Sequence, residues 1–370
     1  MKILVTGARG FIGQNLVLRL REQAGIEVLT FVRGDTYDML RKSVDRADAV
    51  VHLAGENRPS SPLEYESVNV GLTQRLCQFL KDQGRPLSIV LASSSQAVLN
   101  NPYGKSKAAA EAAVEELVGV NGHAVAIYRL PGVFGKWCKP NYNSVVATFC
   151  HLKARDLPVQ ISDAEFRLRL VYIDDVVSSM LHVLQHPERG LVRPTIKPEY
   201  QITLGELCHQ LDAFKNCRTT LRAEPVGEGL VRALYATYVS YLPPEKFSYE
   251  LLKHSDKRGM FVEMLKTPES GQFSFFTSHP GITRGGHYHH TKTEKFLVIK
   301  GQARFCFRHM LTDEMYSLNT HGDHPQIVET VPGWAHEVTN VGPDELVVML
   351  WANEIFDPQN TDTMSSRVEK

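Results

Sequence analysis

No run of about 18 apolar residues occurs in the sequence, so nothing in it reads as a membrane-spanning helix. No charged leader precedes the apolar stretch Lys2 to Thr6, and the chain is expected to be cytoplasmic, neither exported nor membrane-bound. An excess of either charge is missing too: 41 lysines and arginines balance 41 aspartates and glutamates. No overall field therefore draws the chain to nucleic acid or anionic lipid, and any phosphate binding must be local. The six cysteines (Cys77, Cys138, Cys150, Cys208, Cys217, Cys306) form no C-x-x-C pair and no disulfide framework, which suits reduced, buried thiols. Long-period self-similarity is also absent, which excludes a repeat architecture and leaves 370 residues for two ordinary domains.

What is present begins at the first residues. Ile3, Leu4 and Val5 read as a buried strand, followed by Thr6-Gly7-Ala8-Arg9-Gly10-Phe11-Ile12-Gly13 and a helical pattern through Leu20. Glycines at 7, 10 and 13 permit a tight turn, close backbone approach to a pyrophosphate and close helix packing, with the phosphate on the helix N-terminus. This is a dinucleotide site. The second strand, Val28 to Val32, ends in Arg33 where an NAD site would carry an acid. Arg33 with Arg9 favours the 2′-phosphate of NADPH, whereas Asp35 nearby would serve a 2′-hydroxyl. A third buried strand ends in His52-Leu53-Ala54-Gly55, small residues against which a cofactor would lie.

After a helix from about Glu64 to Lys81, the strand Ser88 to Ala92 leads into Ser93-Ser94-Ser95. Tyr103 and Lys107 follow, four apart on a helix opening at Asn101-Pro102, so they face the same way. A phenol ordinarily holds its proton to about pH 10, and an adjacent ammonium eases its release. With a serine to hold a substrate oxygen, this is the equipment for reducing a ketone by hydride.

The motifs T-G-A-R-G-F-I-G, H-L-A-G, S-S-S and Y-G-K-S-K, in this order, resemble the extended short-chain dehydrogenase/reductase family, which acts mostly on nucleotide sugars. The resemblance implies a Rossmann-type doubly wound parallel sheet and a catalytic trio Ser95, Tyr103 and Lys107, with Ser94 the alternative serine. Gly7, Arg9, Gly10, Phe11, Ile12, Gly13, Arg33, Leu53, Ala54, Gly55, Tyr103 and Lys107 would then contact the cofactor. Tyr128 to Gly135 resembles the family's strand into the substrate half, and Val171 to Val176 its later strand-to-helix corner. Leu168 stands there in place of the family's common arginine, between Arg167 and Arg169. The stretch Trp137 to Asn143 reads equally as a grip for a sugar diphosphate, through Asn143, or as a surface loop.

Near Pro243-Pro244 the pattern changes to short strands with close turns, giving domains of 1–243 and 244–370. His287 and His289, two apart on a strand, point the same way; Glu294 and His336 complete a set of three imidazoles and one carboxylate. Such donors suit Zn, Fe, Mn or Ni, Zn being the expected ion. The glycine, histidine and glutamate spacing from Gly281 to Gly301 fits the first cupin motif, and Pro332 to His336 part of the second, so the domain resembles an all-β cupin (jelly-roll) barrel. Segments at Asp256 to Phe261 and Arg284 to Tyr288 resemble cupin-type 4-keto-sugar 3,5-epimerases, a likeness implying that Arg258 and Arg284 hold nucleotide phosphates. Because His287 is also a ligand, Tyr288, His290 and Lys295 are the candidates for moving the proton.

The two halves together resemble bifunctional enzymes of capsular polysaccharide synthesis in the UDP-N-acetyl-L-fucosamine pathway. That likeness implies a UDP-linked 4-keto-6-deoxy amino sugar, epimerised at C3 and reduced at C4 with NADPH. Cupins commonly pair through edge strands, so a homodimer is expected, and the balanced charge and short apolar runs lead to no expected nucleic acid or membrane partner.

Overall fold

The computed structural model describes residues 1–59, 61, 64–251, 254–256, 259–261, 265, 271–354, 359 and 361–369. It divides into two compact units, residues 1–144 with 168–201, and residues 145–167 with 202–370. Arg258 lies outside the described residues.

The first unit alternates strands and helices: β1 (Lys2–Thr6), α1 (Phe11–Arg21), β2 (Glu27–Phe31), α2 (Tyr37–Arg46), β3 (Ala49–His52), α3 (Leu72–Asp82), β4 (Ser88–Ser94), α4 (Pro102–Glu115) and β5 (Ala124–Leu130). Later come β6 (Gly132–Phe134), α5 (Val145–Ala154, in the second unit), β7 (Arg167–Tyr172), α6 (Ile173–Gln185) and β8 (Gly190–Val192). Six strands form one parallel sheet in the order β2-β1-β3-β4-β5-β8. The apolar runs of the four central strands, β1, β3, β4 and β5, are buried on both faces, as a helix-covered parallel sheet requires. On one face Leu4, Val50, Ile89, Leu91 and Ile127 pack against Leu76 and Leu80 of α3 and Val114 of α4. Full burial of each such side chain contributes about 1.5–3 kcal/mol.

The helix expected from Glu64 begins instead as a π-helical turn, Tyr65–Gly71, before α3. Asn69 in that turn is buried and directs its side chain away from the helix to the backbone at Glu56. The helix α4 opens where expected: Asn101 accepts from the Gly104 N–H at 2.7 Å, and Pro102 takes the first helical position.

The second unit adds β9 (Tyr200–Thr203), α7 (Leu204–Thr220) and α8 (Gly229–Ser240), then short strands β10 (Ser248–Glu250), β11 (His254–Asp256) and β12 (Gly259–Phe261). The barrel strands are β13 (Gln272–Ser278), β14 (Thr283–Tyr288), β15 (Glu294–Lys300), β16 (Gln302–His309), β17 (Met315–His321), β18 (Gln326–Glu329), β19 (Trp334–Asn340), β20 (Leu346–Ala352) and β21 (Met364–Ser365). They form two five-stranded antiparallel sheets, β10-β18-β15-β20-β13 and β17-β16-β19-β14-β21. Among the described residues no helix is long and apolar enough to cross a membrane.

Candidate active sites

The glycine loop is a backbone cradle. Gly7 has φ +67°, and a Cβ there would lie 2.7 Å from the Ala54 nitrogen, so only glycine lets the β1–α1 turn sit against the segment after β3. A Cβ at Gly13 would stand 2.3 Å from the Gly7 carbonyl oxygen, which fixes the close approach of α1. Gly10 caps α1 without a side-chain hydrogen bond, leaving the helix N-terminus as an anion site of the kind a pyrophosphate fills. The residues present therefore fit a dinucleotide.

His52 is no ligand: its ring is held between the hydroxyls of Thr6, 2.6 Å away, and Thr73, 2.8 Å away, and burial pulls its pKa down to about 3. At the end of β2, the Arg33 guanidinium donates to Glu56 at 2.7 Å. Asp35 accepts from the Val32 N–H at 2.8 Å, so its carboxylate closes its own turn.

At the carboxyl end of β4, Ser94 rather than Ser95 is the serine that influences the Tyr103 phenol, acting to lower its pKa. The strand runs two residues beyond the expected Ala92, ending at Ser94, and Ser95 already begins a 3-10 turn. Burial raises the Tyr103 pKa, and the Ser94 hydrogen bond opposes that rise. Lys107 directs its ammonium to the Ala92 carbonyl at 2.9 Å. Burial thus overrides the expected lowering of the phenol. Burial also pulls Lys107 down to about 8, against the pull of Glu111 one helical turn on. Glu111 is itself buried, bonded by the Ser93 hydroxyl and by Arg129 at 2.6–3.1 Å; sequence reasoning missed this support, although its i,i+4 spacing from Lys107 was visible. Asn143 is exposed, while Tyr142 beside it donates its hydroxyl to Glu56 at 2.7 Å. Arg169 is paired with Glu199 at 2.6 Å.

In the barrel, His287, His289, Glu294 and His336 offer ligand atoms all within 4.8 Å of one another. β14 and β19 pair with His287 opposite His336, and Glu294 starts β15 in the other sheet. Glu294 Oε2 lies 3.3 Å from His289 Nε2 and 3.5 Å from His336 Nε2. A tetrahedron with bonds of about 2.1 Å has edges of about 3.4 Å, which the two Glu294 distances match. His336 Nε2, which faces Glu294, is buried without a hydrogen-bond partner, as a ligand atom reserved for an ion would be. Burial and the neighbouring imidazoles hold His287 down at about 4, and burial lowers His336, so both are neutral and able to ligate. Burial would lower His289 as well, but Glu294 and the Asp362 carbonyl on its Nδ1 raise it. Asp362 also accepts the N–H groups of His290, Thr291 and Lys292 at 2.7–3.0 Å, fixing the loop that carries His289.

The candidates for proton transfer lie out of step with these ligands. Lys295 is buried against Glu329, its neighbour across β15 and β18, next to Arg218 and Tyr249. The Tyr288 and His290 rings pack on each other 5.4 Å apart. Arg284 is exposed, donating to the Thr277 carbonyl at 3.2 Å with its guanidinium over Phe276.

Comparison with known proteins agrees with both halves. Residues 3–197 match the NAD dependent epimerase/dehydratase family, and residues 254–364 the polysaccharide biosynthesis C-terminal domain. The chain is 53% identical over 368 residues to UDP-2-acetamido-2,6-beta-L-arabino-hexul-4-ose reductase of Pseudomonas aeruginosa, covering 100% of this chain and 99% of that one. It is similar to the crystal structure of the capsular polysaccharide assembling protein CapF from Staphylococcus aureus, with 40% identity, full coverage of both chains and a TM-score of 0.68. A further CapF structure, with the inhibitor 3-isopropenyl-tropolone, is 36% identical with a TM-score of 0.62 over both full chains. With a cradle for a dinucleotide, a paired serine and tyrosine beside it, and likeness along its whole length, the chain belongs to the NAD dependent epimerase/dehydratase family.

Proposed function

We propose that this chain is a bifunctional nucleotide-sugar enzyme acting on a UDP-linked 2-acetamido-2,6-dideoxy-4-hexulose. The barrel domain, 244–370, inverts C3, and the first domain, 1–243, reduces the C4 ketone with NADPH to the L-talose configuration. The observation that carries this reading is Tyr103 and Lys107 on one helix directly after the strand that ends in Ser94, in a chain that also closes three imidazoles and a carboxylate around one point. The Pseudomonas aeruginosa relative, named as a reductase of a UDP-linked hexul-4-ose, supports the substrate class.

NADPH, when bound, supplies the hydride for C4. For it, Gly7, Gly10, Gly13 and the α1 N-terminus hold the pyrophosphate, and Arg33 with Arg9 holds the 2′-phosphate. Leu53, Ala54 and Gly55 form the floor. Ser94 hydrogen-bonds the ketone oxygen and aligns it on Tyr103, whose hydroxyl gives the proton as the alkoxide forms. Lys107 holds the nicotinamide ribose and its charge favours the phenolate left behind.

Zn held by His287, His289, Glu294 and His336 would polarise the 4-ketone and so acidify the C3–H. The tropolone bound to a similar CapF presents two adjacent oxygens of the kind a divalent cation chelates, which supports a metal here. Ligation occupies His287, so the base must be another group, and Lys295 is committed to its ion pair with Glu329. Epimerisation precedes reduction, because once C4 is an alcohol the C3 hydrogen is no longer acidic.

The test is product analysis by NMR after supplying a UDP-4-keto-6-deoxy amino sugar and NADPH. Inverted C3 with a C4 alcohol is expected. Reduction without inversion would make the barrel a structural or dimerising domain and the chain a plain reductase.

A further inference from the structure

The strand order β2-β1-β3 places β1 between the ends that carry Arg33 and Glu56. β1 is bonded on both sides at that end: the Gly7 N–H donates to Phe31, and the Leu53 N–H to Thr6. Adjacent strands lie about 4.8 Å apart, so β2 and β3 are separated by about 10 Å. The 2.7 Å contact from Arg33 to Glu56 is therefore made by two side chains reaching across the end of β1, where the glycine loop begins.

Glu56 is built to stay there. Its backbone is clamped by Asn69, which accepts the Glu56 N–H at 2.7 Å and donates to its carbonyl at 2.9 Å. The same Asn69 donates to Ser106 on α4, which ties Glu56 to the helix of Tyr103 and Lys107. The Glu56 carboxylate also accepts from Tyr142 at 2.7 Å and from the N–H groups of Asn57 and Arg58 at 3.1 and 3.3 Å. Burial would raise its pKa, but these donors lower it, so it is ionised. Arg33, by contrast, is 83% exposed along its side chain and has no other hydrogen bond among those described.

We infer that the Arg33–Glu56 pair is a latch across the dinucleotide groove, and that Glu56 is the positioning residue that holds Arg33 until a ligand phosphate takes it. Losing Arg33 leaves Glu56 still bonded to three donors, so the exchange does not orphan a buried carboxylate. A dinucleotide with a 2′-phosphate opens the latch and gains the guanidinium. One with a 2′-hydroxyl opens it and gains nothing. The inference rests on the NADPH reading above for the incoming partner of Arg33.

Calorimetric dissociation constants for NADPH and NADH on the full chain test it. Opening the latch costs both ligands, so Glu56→Gln is expected to tighten both by about 3- to 10-fold, the range of one net hydrogen-bonded pair. Arg33→Ala is expected to tighten NADH by the same factor, and the double variant no further. Unchanged or weaker NADH binding in either single variant, or additive gains in the double variant, would overturn the latch. Should Glu56→Gln fail to fold, Glu56→Asp keeps the charge for the loop N–H groups, falls one methylene short of Arg33, and must give the same tightening. The ratio of NADH to NADPH constants reports separately on the NADPH reading. If that ratio is the same in the parent and in Arg33→Ala, the reading fails whether or not the latch exists.

Discussion

Ser94, and not Ser95 one residue on, is the serine whose hydroxyl acts on the Tyr103 phenol, opposing the rise that burial gives its pKa. Side chains one residue apart at a strand end point to different sides, so the serine nearest the phenol in sequence is not the one that holds it. Ser94→Ala is expected to lower the rate of NADPH oxidation by about 100-fold or more, the usual loss of a donor aimed at a developing oxyanion. Ser95→Ala should stay close to the parent. Steady-state rates at saturating sugar decide between them, and the reverse pattern would restore Ser95.

Lys107 predicts a pH dependence in two measurements. Its pKa falls from the ordinary 10.5 to about 8 on burial, so between those values the unfolded chain binds more protons and stability rises with pH. Below about pH 8 the whole penalty is present. Lys107→Met should therefore raise stability at pH 7 by about 1–3 kcal/mol, a gain that fades towards pH 10.5. In the parent, NADPH oxidation should decline above about pH 8 as the ammonium loses its proton. In Lys107→Arg that decline should move to higher pH. A rate flat across pH 7 to 10 would remove Lys107 from the reaction.

Glu329 supports two cations, the buried Lys295 and the partly buried Arg218. Glu329→Gln leaves both buried without a counter-charge, and should destabilise the second unit by about 3–5 kcal/mol. A thermal melt shows this as a lower midpoint. No change would mean that the charges are relaxed by water.

The sequence was most legible where chemistry demands fixed spacing. Gly7 and Gly13 stand against backbone, Tyr103 and Lys107 share one helix, and the four barrel donors lie within 4.8 Å of one another; turn geometry and the helix period explain the first two, whereas His289 lies on the loop beyond its strand. Register within Ser93 to Ser95 was not legible, because three identical residues carry no mark of where the strand stops. The Glu56 hub was hidden for another reason: its partners Arg33, Asn69 and Tyr142 are 23, 13 and 86 residues away, and only the sheet order assembles them. Lys295 could have been set aside earlier, since strand alternation puts it on the face opposite Glu294.

The proposed barrel metal is the next point of test. His289→Ala or Glu294→Ala should lower bound metal and C3 exchange together while leaving NADPH affinity unchanged, since the glycine cradle belongs to the other unit. A merely structural ion would instead show as a lower melting temperature with exchange retained in the folded fraction. Metal content, melting temperature and exchange measured on one sample separate the two.

The central claim is two reactions on one sugar, and Tyr103→Phe in D2O isolates them. In the proposed mechanism the phenol serves only the hydride step. Incubated with the UDP-4-keto-6-deoxy amino sugar and NADPH, the variant should take up deuterium at C3 at near the parent's initial rate while absorbance at 340 nm stays constant. An unlabelled C3 in the variant and in the parent's product would contradict the epimerase, and NADPH consumption at the parent rate would contradict Tyr103 as the acid.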